Sequence, residues 1–330
     1  MYKRGDSVQV KSSASILCNN LDVFKSSGKP VDECKLAVIH KSLVWVFVPK
    51  EVKLKQPTDG ALPYKQVHCK GENMHSASNI LQAKWCSLPQ RTLLILASVR
   101  GVQMFEDDGA VMVFWQALSP NPTEGHAQFA RGISSVGDEH ICIGTADGHI
   151  LVFSVPTKGP AVKLQETLDE HSCSICDIAS EGDRMATSDE SGKIILWKAG
   201  GHFVKLIEIN GYGYPCSSLC FMGDLIIGAY GSGHIRVFDS KTGSIHCEVC
   251  AHSRWINAID ISKKTGLLLS ASEDTFAKVW KVTASPFNFE FLFEESISDV
   301  QLAGAKFLDD DGNSFAVTGY DSCDVAIFNK

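Results

Sequence analysis

Five segments of this chain share one plan, and that repetition constrains the fold more than any other feature. IGTADGHILVF, ATSDESGKIILW, IGAYGSGHIRVF, LSASEDTFAKVW and VTGYDSCDVAIF each join a strand of small residues to a turn rich in Asp, Ser and Gly. An alternating strand ending on an aromatic follows. The closing aromatics are Phe153, Trp197, Phe238, Trp280 and Phe328, about 41 to 48 residues apart. Upstream, ILASVRGVQMF and LAVIHKSLVWVF end on Phe105 and Phe47 and bring the count to seven units. A unit of that length cannot bury its own apolar face and must stack on its neighbours.

The first interval is the longest, and its cause is visible. Pro49 to Tyr64 (PKEVKLKQPTDGALPY) is charged, carries proline and lacks strand alternation, so it reads as an inserted loop. Each unit should supply four antiparallel strands with period-2 alternation; in the Trp280 unit these are INAIDI, LLLSAS, FAKVW and FEFLFEES. The last unit has three strands and stops soon after Phe328, which would leave an unpaired edge beside the ring closure. SVQVK, Ser7 to Lys11, has the strand pattern to fill that place. The sequence therefore predicts an all-β fold over residues 1–330: one seven-bladed β-propeller, closed by its N-terminal strand.

Hydrophobic residues make up 44% of the chain and charged residues 21%, an ordinary globular balance. The net charge of -7 argues against a phosphate-neutralising surface, so no nucleic-acid partner is expected. The polar start MYKRGDSVQVKSS lacks the apolar core of a secretory signal. No apolar run approaches the ~18 residues of a membrane span; LVWVFV, Leu43 to Val48, is strand length. The 12 cysteines are scattered through apolar strands and read as reduced, buried thiols. A cytoplasmic location is expected.

The repeats resemble WD repeats, most closely in AHSRWINAIDISKKTGLLLSASEDTFAKVW. In that family a blade is held by a hydrogen-bonded tetrad of His, Ser or Thr, Asp and Trp. The matching positions here are His252, Ser270, Asp274 and Trp280. The Trp197 unit keeps His171 and Thr187 but places Ser191 where the Asp would stand, and Phe replaces Trp in five units. Those units are expected to rely on apolar packing. LCNNL, RGVQM, FARGI, SEDTF and GNSFAVTGYD, spread from residue 17 to 321, narrow the resemblance to one subfamily of WD-repeat proteins. That resemblance implies a cytoplasmic and vesicle-associated, self-associating propeller linked to growth-factor receptor signalling, with no catalytic activity and no binding residues to carry over.

HCEVCAH, with His246, Cys247, Cys250 and His252, has the residue types of a zinc site. Residues three apart in a strand face opposite ways, so no metal and no cofactor is expected there. HSCSIC carries Cys173 and Cys176, but on an inner strand and not at the helix N-terminus that activates such thiols. No nucleophile elbow, phosphate loop or zinc-protease motif occurs, and GYGYP at 211–215 lacks the strand-to-helix setting of a phosphate cradle. Glu106-Asp107-Asp108, Glu294-Glu295 and Asp309-Asp310-Asp311 read as solvated turns, with a negative patch for a basic partner as the other reading.

Function in such a ring lives in its loops. The loop leading into each inner strand and the turn before each third strand share one face. By alignment that face carries Arg254, Trp255 and Glu273, with Phe129, Tyr212 and Tyr214 from other units; exposed aromatics and Arg are hot-spot types. Trp255 has a second reading as a buried wedge. The expected function is a non-catalytic protein-interaction scaffold whose partners are other proteins or further copies of itself. Behind it stand a nucleic-acid-binding or ciliary complex-assembly propeller subunit and, last, an enzyme.

Overall fold

Four second strands, His140–Thr145, Leu225–Tyr230, Leu267–Ser272 and Ser314–Gly319, are buried along their whole length. A strand of that kind needs a sheet covered on both faces. A computed structural model describes residues 1–25, 33–54, 64–71, 77–118 and 128–330. It forms seven antiparallel sheets, six of them four-stranded, arranged as a ring of blades. Their inner strands, blades 1 to 7 in order, are Leu21–Phe24, Ile80–Leu88, Ala130–Val136, Ile175–Glu181, Cys216–Met222, Ile256–Ser262 and Leu302–Phe307, and each contacts the next around the axis.

The core is divided in the same way. The described residues form seven apolar clusters, and each is shared by two consecutive blades. Between blades 4 and 5, for example, Leu196 and Ile209 meet Leu219 and Phe238. No blade has a core of its own, so each must dock on its neighbours to gain its burial energy.

Polar side chains on the inner strands fix the docking. Asp22 accepts the Trp85 N–H at 2.8 Å, Gln82 that of Gly132 at 2.7 Å, and Asp177 that of Leu219 at 2.9 Å. Ser218 accepts from the Ile259 N–H at 3.3 Å, and Asp260 from that of Phe307 at 2.8 Å. Each bond joins one inner strand to the next and satisfies a backbone donor that neither sheet ladder uses. In blades 2 to 7 the inner strand also carries a bulge near its start, such as Ile175/Asp177 and Cys216/Ser218. The extra residue turns side chains such as Asn257 toward the axis, where its amide donates to the Leu302 carbonyl at 2.8 Å.

The N-terminus closes the ring as expected within Ser7 to Lys11, and its pairing also begins earlier. Two short pieces, Lys3–Arg4 and Val8–Gln9, pair with Asp324–Asn329, the third strand of blade 7. Tyr2 anchors the first piece: it is buried, its hydroxyl donates to the Gly312 carbonyl, and its ring meets Phe293 at 5.3 Å and Phe315 at 5.0 Å. Val8 and Val10 fill the seam between blades 7 and 1. The insertion after Phe47 also departs from the expected loop over Pro49 to Tyr64. Pro49–Leu54 is a short helix, with proline in its first turn and Glu51 there to favour the helix dipole. Tyr64 already begins the fourth strand of blade 1, and residues 55–63 lie outside the described residues.

Deleting residues 1–12 removes Tyr2, both closing pieces and the Val8 and Val10 side chains together. The truncated chain is expected to aggregate or to lose cooperative melting, read by light scattering and calorimetry. A soluble variant that melts cooperatively at the wild-type temperature would contradict this closure.

Candidate functional site

In an antiparallel blade the turns alternate between two faces. One face of the ring collects the turns between second and third strands and the loops leading into each next blade. On it, each turn must hold a neighbouring loop. At three turns a glycine allows the approach: a Cβ on Gly148, Gly192 or Gly233 would come within 2.2 to 2.3 Å of the carbonyl of His171, Tyr214 or His252. Blade 6 uses Thr275 in the same left-handed conformation, φ 78°.

Among the described residues, two blades hold the loop by a polar tetrad. In blade 6, His252 Nδ1 lies 2.9 Å from Asp274 Oδ2 and Nε2 lies 2.8 Å from Ser270 Oγ, while the Trp280 indole donates to Ser270 at 3.0 Å. Asp274 also accepts the Ser253 N–H at 3.0 Å and that of Phe276 at 3.1 Å. Burial alone would raise its carboxyl; these bonds and the imidazole overcome that and hold it at about 2. Burial pulls the His252 imidazole below its ordinary value against the opposing Asp274 carboxylate.

Blade 4 has a complete tetrad as well, which overturns the expectation that its acid is replaced by Ser191. His171 Nδ1 lies 2.7 Å from Asp189 Oδ2, Nε2 lies 2.8 Å from Thr187 Oγ1, and the Trp197 indole donates to Thr187 at 2.9 Å. Asp189 stands at the end of its strand and not in the turn. Its other oxygen accepts from the Ser191 N–H at 2.9 Å and the Lys193 N–H at 3.0 Å. Burial opposes ionisation here too, but the His171 and Ser191 bonds keep the carboxyl below its usual range.

Blade 5 solves the same problem with aromatics. Tyr212 stands four residues before the inner strand, the place of His171 and His252 in their blades, and Gly228 takes the hydroxyl position. The Arg236 guanidinium lies 4.2 Å from the Tyr212 ring centroid and 4.3 Å from that of Tyr230, and its Nε donates to Glu248 at 2.6 Å. Apolar packing alone does not describe this blade. Tyr212 is thus partly a structural residue, although 43% of it stays exposed.

The six residues read from sequence as a partner-binding surface all lie on this face. Tyr212 and Tyr214 occupy the loop leading into blade 5, Arg254 and Trp255 the loop into blade 6, and Glu273 the blade 6 turn. Phe129 stands apart at the start of blade 3, half-buried, with the Arg131 guanidinium 5.6 Å from its ring centroid. Tyr214 is 52% exposed and Arg254 is exposed. Trp255 is half-buried; its ring lies on Gly231, where a Cβ would meet it at 2.7 Å, and its carbonyl accepts the Glu273 N–H at 3.0 Å.

Members of all three acidic runs are engaged, and Glu294-Glu295 lies in the outer strand of blade 6, Phe287–Ser296, and not in a turn. Arg91 pairs with Glu106 at 2.7 Å, Lys35 with Asp107 at 3.0 Å and Lys65 with Asp108 at 3.1 Å. Lys278 pairs with Glu294 at 3.0 Å and Lys264 with Asp311 at 2.6 Å, and Asp309 accepts the Ser314 N–H at 2.7 Å. HCEVCAH does not converge: His246 stacks on Phe287 at 4.9 Å, Cys247 packs between blades 5 and 6, and His252 belongs to its tetrad. Cys176 is buried on the blade 4 inner strand, where burial pushes its thiol well up.

The axis of the ring holds polar residues that form no motif in the sequence. Asn19, in the left-handed conformation at φ 55°, crosses the centre of the ring: its amide reaches Asp177 of blade 4 at 3.3 Å and its carbonyl oxygen accepts from Ser218 of blade 5 at 3.0 Å. Below it lies a cavity of about 30 Å³ lined by Asp22, Gln82, Lys84, Asp177 and Lys306, among others. Burial pushes the Asp22 carboxyl up. Burial would lower the Lys306 ammonium, but the Asp260 and Asp22 carboxylates overcome it and hold it well above its ordinary value. The one sequence signal was a polar residue set into four of the apolar inner strands: LDVF, LQAKW, ICDIAS and AIDIS.

Comparison with known proteins places this geometry. A family model described as WDR54 matches residues 1–330. The chain is 40% identical to WD repeat-containing protein 54 of Mus musculus, over 99% of each chain, and 38% identical to that of Homo sapiens, over 100% of each. Among solved structures, a chain from a crystal structure of the Mitotic Checkpoint Complex matches with a TM-score of 0.76. It is 14% identical, with 99% of this chain and 92% of that one covered, so the likeness shows the fold alone.

Asp189→Ala is expected to cost about 1 to 3 kcal/mol, the range for stranding buried donors, by denaturant titration. An unchanged midpoint would mean that the blade 4 tetrad adds nothing. His252 gives a pH signature. Its folded pKa lies below the unfolded value of about 6.5, so its contribution to stability is whole above that pH and is lost as pH falls through the folded value. The melting-temperature difference between wild type and His252→Gln should therefore shrink from pH 7 to pH 5. A constant difference would refute it.

Proposed function

Because the chain belongs to the WDR54 family of WD-repeat propellers, we propose that it is a non-catalytic scaffold that captures other proteins on the face built from its lead-in loops. The observation that carries this reading is the set of exposed side chains on a fixed frame. Tyr214, Tyr212 and Arg254 stand out on the loops into blades 5 and 6, which are held by the Tyr212–Arg236–Tyr230 stack and the blade 6 tetrad, with the blade 4 tetrad fixing the neighbouring loop. Aromatic and Arg side chains on a rigid support bind with little loss of conformational entropy, and such anchors dominate interface energies.

The same proposal includes what the resemblance of its motifs implies: a cytoplasmic protein that associates peripherally with vesicles, self-associates and serves growth-factor receptor signalling. Among the described residues no helix is long and apolar enough to cross a membrane. In this reading vesicle association runs through a bound partner.

Arg254→Ala combined with Tyr214→Ala tests the surface. Partner capture, read by proximity labelling in cells and pull-down with purified protein, is expected to be lost, while thermal stability stays within about 1 kcal/mol. Phe238→Ala is the control: a cavity there costs roughly 3 to 5 kcal/mol and lowers capture only in proportion to folded protein. If the double variant keeps full capture, the partner uses another surface, most directly the opposite rim that carries the Pro49–Leu54 helix.

A further inference from the structure

HCEVCAH fails as a metal cluster, but it leaves one thiol in a distinctive setting. Cys250 ends the outer strand of blade 5, Ile245–Cys250, and faces His234, the first residue of the adjacent strand His234–Asp239, as its direct antiparallel partner. The Cys250 sulfur lies 3.2 Å from His234 Nε2. On the other side of the ring, Nδ1 lies 3.2 Å from the Ser232 carbonyl oxygen and 3.0 Å from its hydroxyl. In the tautomer with the hydrogen on Nδ1, which both Ser232 oxygens can accept, Nε2 presents its lone pair to the thiol and the thiol donates to it. A nucleophile, a base within hydrogen-bond reach and a third group that fixes the base's tautomer make up the arrangement that activates catalytic thiols.

The thiols shut into the core stand in a different setting. Burial pushes those of Cys86 and Cys216 up to about 12 and those of Cys142, Cys176 and Cys220 up as well. Cys323, the other exposed thiol, has no imidazole contact among the described residues.

We propose that Cys250 is a reactive thiol, activated by His234, that takes up soft electrophiles and is oxidised by hydrogen peroxide. In that step His234 Nε2 removes the thiol proton as the sulfur attacks one peroxide oxygen. An S–O bond forms, the O–O bond breaks and accepts the two electrons that sulfur gives up, and the departing hydroxide takes the proton from the imidazolium. The products are Cys250 sulfenic acid, water and neutral His234. The site lies two residues from His252, at the rim of the lead-in face. It is independent of the proposed partner capture.

The test uses the full chain in its native state. A brief, limiting dose of iodoacetamide at pH 7, followed by site-resolved mass spectrometry, should label Cys250 at least about tenfold faster than Cys323, which is modest against the 10² to 10⁴ typical of general-base catalysis. Treatment with hydrogen peroxide and a sulfenic-acid trap should tag Cys250 first. His234→Gln should bring the Cys250 rate down to that of Cys323 without changing Cys323. Equal labelling of the two cysteines in the wild type, or an undiminished Cys250 rate in a folded His234→Gln chain, would overturn the proposal. Should His234→Gln unfold, the wild-type ratio decides alone.

Discussion

The inter-blade hydrogen bond is the interaction on which this molecule depends. Each blade buries its apolar faces only against its neighbours, so the angle between neighbours has to be fixed, and apolar contact is non-directional. Asp22, Gln82, Asp177, Ser218 and Asp260 supply the direction by accepting a backbone N–H from the next inner strand. Without the acceptor, a buried donor would be left unpaired at a cost of about 1 to 3 kcal/mol. Asn19 adds a bond across the ring, from blade 1 to blades 4 and 5, and the N-terminal pieces finish blade 7.

From that frame follows the binding face. A loop that leads from one blade to the next is useful for recognition only if it is held still. Blades 4 and 6 hold theirs with a buried imidazole between a carboxylate and a hydroxyl, the indole completing the hydroxyl's bonds. Blade 5 places Tyr212 where those blades have His and clamps Arg236 between two rings. The chemistry differs, but each device ties a lead-in loop to a second or third strand. The same edge of blade 5 carries His234 and Cys250, so its sequence divergence from the tetrad pattern coincides with its unusual surface chemistry.

The repeat, the number of blades and the closure were legible because period-2 alternation and the closing aromatics are local signals. The tetrad of blade 4 was not, because alignment to the Asp274 turn pointed to Ser191, while Asp189 approaches His171 from two residues earlier, at the strand end. Similar atoms meet from different Cα positions, which spacing cannot express. Asn19 was hidden for another reason: its partners lie far away in sequence and its left-handed backbone is fixed by them. The helix Pro49–Leu54 did show its signals, proline in the first turn and an early Glu, but the surrounding charge and second proline favoured a loop reading. Tyr212 was read only as an exposed aromatic because a Tyr in the His position has no precedent elsewhere in this chain's own repeats.

Native-state hydrogen exchange on the amides that join the blades tests the central claim most directly. If these bonds make the ring one cooperative unit, the amides of Trp85, Gly132, Leu219, Ile259 and Phe307 exchange only through global unfolding. Their exchange free energies would then agree with each other and with the unfolding free energy from denaturant titration. Values that differ from blade to blade, with some amides exchanging by local opening at much lower free energy, would show that the blades open one at a time and that the joints do not bind the ring together.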